Sequence, residues 1–168
     1  MNITLIGMSG AGKSFIGKRV AGKLGLRCID IDDEMEKQHG KLLPQLIDTW
    51  GDDRFIAEET STVDACTRGK DGLLISTGGS IVYSDEAMQL LRGISVVIYL
   101  RVPRALILER IVGVGDRSKR IIRLGNKSLE ELMAEREPLY ERYAHHILDT
   151  GPLSVDETVD AIAAIATK

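Results

Sequence analysis

Short apolar runs and longer stretches of helical spacing alternate along the whole chain. Apolar runs at Asn2–Ile6, Arg27–Ile31, Leu73–Ser76, Ser95–Leu100 and His146–Leu148 read as strands. Apolar residues at helical spacing fill the gaps, over Lys13–Leu24, Asp33–Gln38, Lys41–Trp50, Asp53–Thr67, Asp85–Leu91, Pro103–Ile111, Ser128–Tyr143 and Ser154–Ala166. Such alternation predicts an α/β three-layer sandwich, a five-stranded parallel sheet with helices on both faces. Ligands in such folds bind beyond the strand C-termini. Two segments interrupt the pattern. One is a helical insertion from Asp33 to Arg68; the other, Val112 to Lys127, is rich in Gly and Arg and has no apolar period.

The turn after the first strand changes the picture most. Gly7-Met8-Ser9-Gly10-Ala11-Gly12-Lys13-Ser14 fits the phosphate-loop pattern G-x-x-x-x-G-K-[ST], with a strand before it and a helical pattern after it. Glycines let the backbone curl around an anion with its N–H groups inward, and the following helix presents its positive end to the same point. The reading places Gly10, Ala11, Gly12, Lys13, Ser14 and Phe15 against a nucleotide. Lys13 reaches the β- and γ-phosphates, and the Ser14 hydroxyl serves Mg²⁺. In a protein of this kind the two interruptions are places for a substrate-binding subdomain and a lid. A solvated basic loop is the plain alternative for the second.

Composition narrows the partners. At 168 residues the chain is expected to form one domain with its own core. A formal net charge of −3 supplies no basic field for nucleic acid or an anionic membrane. No run approaches transmembrane length, and the start lacks a signal-like core. Cys28 and Cys66 lie far apart in apolar surroundings without metal-ligand spacing, which suits reduced thiols in a cytoplasmic protein. The expected partners are ATP and a small molecule, with the chain a monomer.

Several further residues are candidates for chemistry. Asp30 and Asp32 end the second strand two apart, so their side chains project to one face. One carboxylate could hold a water on Mg²⁺ while the other accepts or orients the proton of an attacking hydroxyl; alternatively they cap and open the next helix. Gly78 and Gly79 after the third strand suit close approach to a ligand or a plain tight turn. Arg117, Lys119, Arg120 and Arg123 crowd one short stretch, and charge alone does not choose which of them would fold over a γ-phosphate. Arg110 fits either an adenine face or the negative end of its helix. Arg136 stands just before Pro138, which should break or kink the helix, and it suits an anion clamp or a surface ion pair.

Laid out in this order, the chain resembles the shikimate kinase family, P-loop kinases with the nucleoside-monophosphate-kinase-like fold. Asp30-Ile31-Asp32 looks like the family's Asp-x-Asp, and Gly78-Gly79-Ser80 is similar to its three glycines. Arg117 falls on the lid arginine, Arg136–Tyr140 on the Arg-x-Pro-Leu-Tyr element, and Glu36, Gly40, Gly51, Asp52, Phe55 and Glu59 follow the insertion's spacing. The resemblance implies ATP-dependent phosphorylation of the shikimate 3-hydroxyl. Lys13 and Arg117 would stabilise the transferring group, Asp32 would meet the hydroxyl, and Asp30 and Ser14 would serve Mg²⁺. Gly78, Gly79, Glu59 and Arg136 would hold the acceptor.

The departures gather on the acceptor side. Ile56 stands where the family carries an arginine for the acceptor carboxylate, and Arg54 does not replace it, because the two positions differ by roughly 200° around a helix. Ile47 stands for an aromatic residue, Ser80 for the third glycine, and Ser118 for the lid proline. The segment Asp149–Leu153 offers no arginine to the adenine. Two other expectations therefore stand beside shikimate: a related kinase for another polyol or hydroxy acid, and an ATP-binding regulatory module without transfer.

Overall fold

The structure, a computed structural model, describes residues 1–113 and 117–168, with the side chains of Arg117 and Ser118 outside the described part. Five strands, β1 (Ile3–Ile6), β2 (Arg27–Asp30), β3 (Leu73–Ser76), β4 (Val96–Arg101) and β5 (His146–Asp149), form one sheet in the order β2-β3-β1-β4-β5. Every pairing is parallel. Burial of β1 and β3 along their whole length shows why their sequences are continuous apolar runs: both faces of the sheet are covered. The expected five-stranded parallel sandwich is therefore the observed one.

Helices α1 (Lys13–Leu24) and α7 (Val155–Ala166) pack on each other, and α1 also lies on β1, β2 and β3. Helices α4 (Asp85–Ile94) and α6 (Leu129–Tyr143) pack on β4. Ser84, Ser128 and Ser154 each cap the helix that follows by accepting a backbone N–H three residues on. Because β1 is flanked by β3 on one side and β4 on the other, the chain reverses its direction of travel across the sheet at β1. A crevice opens there, beyond the strand C-termini.

The structure differs from the sequence pattern at three places that matter for the site. First, β2 ends at Asp30 and α2 runs from Ile31 to His39, so Asp32 is not a strand residue. Asp30 caps the helix, its carboxylate accepting the Asp33 N–H at 3.2 Å. Second, the two helical patterns of the insertion join as α3 (Leu43–Thr67), bent at Gly51, whose φ of 73° only glycine adopts readily. Third, α6 runs through Pro138 without ending. Pro138 and Ala134, whose carbonyl loses its usual N–H partner, both lie on the exposed face, so water can satisfy that carbonyl.

Of the expected lid, residues 114–116 lie outside the described part. Helix α5 (Arg104–Gly113) leads into it and a 3-10 turn at Arg117–Arg120 follows. Ile121 and Ile122 then drop into the core, both nearly fully buried. This pair anchors the segment, and its adjacency hides it from any test of helical period.

Candidate active site

The site grows from β1. Gly10 and Gly12 take φ values of 85° and 89°, and Gly12 starts α1 with no side-chain cap, so the first-turn amides of α1 open onto the crevice. Lys13 is folded back into the loop, donating to the Gly7 carbonyl at 2.7 Å and the Met8 carbonyl at 2.9 Å. Burial pushes its ammonium down to about 8, against the opposing pull of the Asp32 and Asp30 carboxylates. Ser14 Oγ donates to Asp30 Oδ2 and lies 3.2 Å from Ser76 Oγ.

An outer cleft of about 430 Å³ runs over this loop. Ser9, Gly12, Lys13, Ser14 and Phe15 line one side; Asp30, Asp32, Gly78, Gly79 and Arg120 line the other. Asp32 reaches the cleft although it is helical, because α2 begins at the crevice and carries its first turn over it. Burial and then the neighbouring Asp30 charge push Asp32 up to about 6, with Lys13 and Arg120 pulling the other way. Arg110 donates to the Gly10 carbonyl at 2.9 Å and borders a second cleft of about 330 Å³ on the far side of the loop. Phe15, Thr150, Leu153 and Val155 line that cleft too, so the segment after β5 supplies it with apolar and hydroxyl groups in place of a cation.

Beneath the outer cleft lies a small inner chamber, bordered by Asp32, Phe55, Gly78, Gly79, Arg120, Ile122 and Arg136 among others, with a volume of only about 10 Å³. Arg136 is 1% exposed. Its Nε donates to Tyr83 Oη at 3.2 Å, its Nη2 to the Ile122 carbonyl at 2.7 Å, and its Nη1 lies 3.8 Å from Met8 Sδ. It is therefore not the surface ion-pair residue that its type alone would suggest. Tyr140 Oη donates to the Gly79 carbonyl at 2.6 Å and fixes the glycine turn from below.

Glu59 is fully buried behind the glycine turn. Ser80 Oγ donates to its Oε2 at 2.8 Å, while Oε1 has no hydrogen-bond partner among the described residues. Burial, then the Asp32 charge, pushes this carboxyl up to about 8. The need for glycine at 78 and 79 follows directly. A Cβ on Gly78 would collide with Glu59 Oε1 and come within 3.0 Å of Asp32 Oδ1; one on Gly79 would come within 3.0 Å of Arg136 Nη1 and 3.2 Å of the Ser9 amide.

The structure thus gathers Lys13, Ser14, Asp30, Asp32, Gly78 and Gly79 around one cleft, with Glu59 and Arg136 directly behind it. The side chain of Arg117 lies outside the described residues. Ile56 and Ile47 are half-buried against the core and border neither space, and Arg54 is exposed, stacked over Trp50 and 3.8 Å from Glu58. Three contributors were missed by sequence reasoning: Ser80 as a donor to Glu59, Tyr83 as the partner of Arg136, and Ile121–Ile122 as the plug over the chamber. Only the isoleucine pair left a trace, as an apolar dipeptide in a basic loop. Arg120 is one of four cations that the sequence does not distinguish; among the described residues of that stretch, it is a wall of both spaces.

Comparison with known proteins agrees with this architecture. The family model described as shikimate kinase matches residues 9–166. The chain is 37% identical over 161 residues to a shikimate kinase of Pelotomaculum thermopropionicum, covering 96% of this chain and 92% of that one. It is 33% identical to one of Bordetella avium, over 95% of this chain and 76% of its relative. A solved shikimate kinase of Acinetobacter baumannii in complex with shikimate superposes with a TM-score of 0.87 at 28% identity, over 98% of this chain and 91% of that one. A deoxyadenosine kinase from M. mycoides, at 18% identity and a TM-score of 0.63, shares the fold alone. With the family model spanning nearly its whole length, this chain belongs to the shikimate kinase family.

Proposed function

We infer that the protein is an ATP-dependent kinase that phosphorylates the 3-hydroxyl of shikimate. The observation that carries this reading is the convergence of the loop lysine, the Asp32 carboxylate and the buried Arg136 on two adjoining spaces at the C-terminal edge of the sheet, in a chain of this family. The triphosphate lies along Gly10–Ser14, and the base occupies the second cleft between Arg110 and the segment after β5. Lys13 exchanges the Gly7 and Met8 carbonyls for phosphate oxygens, which are stronger acceptors for an ammonium.

Ser14 and Asp30 fit Mg²⁺. Their oxygens already meet, and among the described residues no set of three or more acidic, His or Cys side chains forms an all-protein cage. Magnesium in kinases is held by one or two such groups together with substrate phosphates and water. When bound, the ion neutralises charge on the β- and γ-phosphate oxygens.

The acceptor enters from the outer cleft into the inner chamber, which at its present volume of about 10 Å³ holds no ring, so the Arg120–Ile122 segment shifts outward as the acceptor seats. The 3-hydroxyl oxygen attacks the γ-phosphorus, the bond to ADP breaks, and Asp32 takes or orients the hydroxyl proton. A carboxylate titrating near 6 is ionised at neutral pH and still basic enough for that task. Arg136 grips the acceptor carboxylate, and Arg117 covers the transferring group. Among the described residues no helix is long and apolar enough to cross a membrane; with two free half-buried thiols, a monomeric cytoplasmic enzyme is the simplest reading.

Steady-state turnover with shikimate and Mg-ATP, with the product's phosphate position assigned by NMR, tests the reading. The expected result is acceptor-dependent ADP release and phosphate on the 3-oxygen. Turnover no faster than ATPase background with shikimate, alongside clear turnover of another polyol or hydroxy acid, would replace shikimate as the substrate.

A further inference from the structure

The inner chamber has two cationic walls, and they differ. Arg136 is fixed from below: Nε donates to Tyr83, Nη2 to the Ile122 carbonyl, and the Nη1 side faces Met8 sulfur and the Gly79 turn. A guanidinium so engaged offers one edge to an incoming carboxylate. Arg120 stands on the opposite rim. It borders Asp32, Gly78 and Gly79 in both the outer cleft and the inner chamber. Its Nη2 donates to Glu36 Oε1 at 2.7 Å, and Glu36 sits one turn beyond Asp32 on α2.

That tether sets the position: Glu36 on α2 ties Arg120 to the helix that carries Asp32, at the border of the chamber. The insertion puts an isoleucine at position 56, and the nearby Arg54 turns out to solvent over Trp50. Among the described residues lining the chamber, Arg120 and Arg136 are therefore its two guanidinium groups.

We propose that Arg120, positioned by Glu36, is the second cation for the acceptor's carboxylate and sets the enzyme's preference for a hydroxy acid over an uncharged alcohol. This rests on the kinase reading above. It assigns to the lid side of the pocket a contact that the insertion helix does not make. As the acceptor enters, its carboxylate meets Arg136 from below and Arg120 from above, and Glu36 keeps the latter's fork aligned.

The test compares kcat/KM for shikimate and for its methyl ester, which keeps the ring and hydroxyls but not the charge. Wild type, Arg120→Ala, Arg120→Lys and Glu36→Gln are measured, with thermal unfolding as a check on folding. Arg120→Ala is expected to lower kcat/KM for shikimate by ~10–100-fold, through KM, while changing the ester by less than ~3-fold, so that discrimination collapses. Arg120→Lys should recover part of it, since a lysine restores charge without the fork. Glu36→Gln should lose less than Arg120→Ala.

Equal losses on acid and ester would overturn the proposal, because they would place Arg120 on the phosphoryl group or on lid closure; unchanged kinetics would overturn it too. If wild type turns over another hydroxy acid in place of shikimate, the same ratio is taken with that acid and its ester. Failure of shikimate as acceptor and failure of Arg120 as its contact then register separately. Turnover confined to acceptors that carry no carboxylate would overturn both.

Discussion

The two halves of the site are built in different ways. The proposed triphosphate cradle is one continuous stretch, Gly7 to Ser14, acting largely through backbone amides whose direction is fixed by glycine dihedrals. The proposed acceptor half is assembled from separate elements: Asp32 on α2, Glu59 on α3, the glycine turn after β3, Arg120 to Ile122 at and after the 3-10 turn, and Arg136 on α6. A backbone cradle tolerates little change at the positions that fix its geometry, the glycines and the loop lysine. A chamber walled by side chains can exchange one contact for another as long as a charge of the right sign arrives from some direction. The role proposed for Arg120, in a chain with isoleucine at position 56, would be such an exchange.

This contrast can be broken at either end. The largest effect is expected at Lys13. Lys13→Ala should lower kcat by ~10³-fold, because its charge acts on the group in transfer, while leaving the acceptor KM within ~3-fold. A matching rise in acceptor KM would mean that the halves are not separate. Arg136→Ala should do the reverse, raising acceptor KM by ~10–100-fold with a smaller change in kcat. Because this arginine is buried and bonds Tyr83 and Ile122, its thermal unfolding must be measured alongside.

A smaller effect, on stability, sharpens the acceptor half. Burial pushes the Glu59 carboxyl up to about 8 from an ordinary value of 4.5, so the fold favours its protonated form. A raised carboxyl binds a proton in the fold that the unfolded chain has released. Its stabilising contribution is therefore complete below the unfolded value and is lost as pH rises toward the folded one. Wild type should then lose stability relative to Glu59→Gln between about pH 5 and about pH 8, by at most about 1.4 kcal/mol per pH unit. Melting curves of the two proteins across that range provide the check; parallel curves would show that Glu59 is ionised in the fold.

How much of this was legible beforehand follows the same division. The sheet, its strands and the phosphate loop stand out because each is local: a run of β-favouring apolar residues, or a spacing of fixed residues along one segment. Asp30 and Asp32 stand out together in the sequence, and of the two readings it offers, strand alternation or the start of the next helix, the second describes their placement: Asp30 caps the helix that carries Asp32. The proline in α6 suggested a break that solvent exposure of the freed carbonyl makes unnecessary. What could not be read is whatever depends on approach from a distance. Glu59 is pressed against the glycine turn, Ser80 turns toward it, Tyr83 meets Arg136, and Arg120 was one basic residue in a basic loop until Glu36 fixed its position.

Diffraction from crystals grown with shikimate and a non-hydrolysable ATP analogue addresses the central claim most directly. The account predicts the triphosphate along Gly10–Ser14, the 3-hydroxyl at Asp32, and the carboxylate clasped between Arg136 and Arg120. A carboxylate seated away from both arginines, or a triphosphate bound outside that loop, would contradict it.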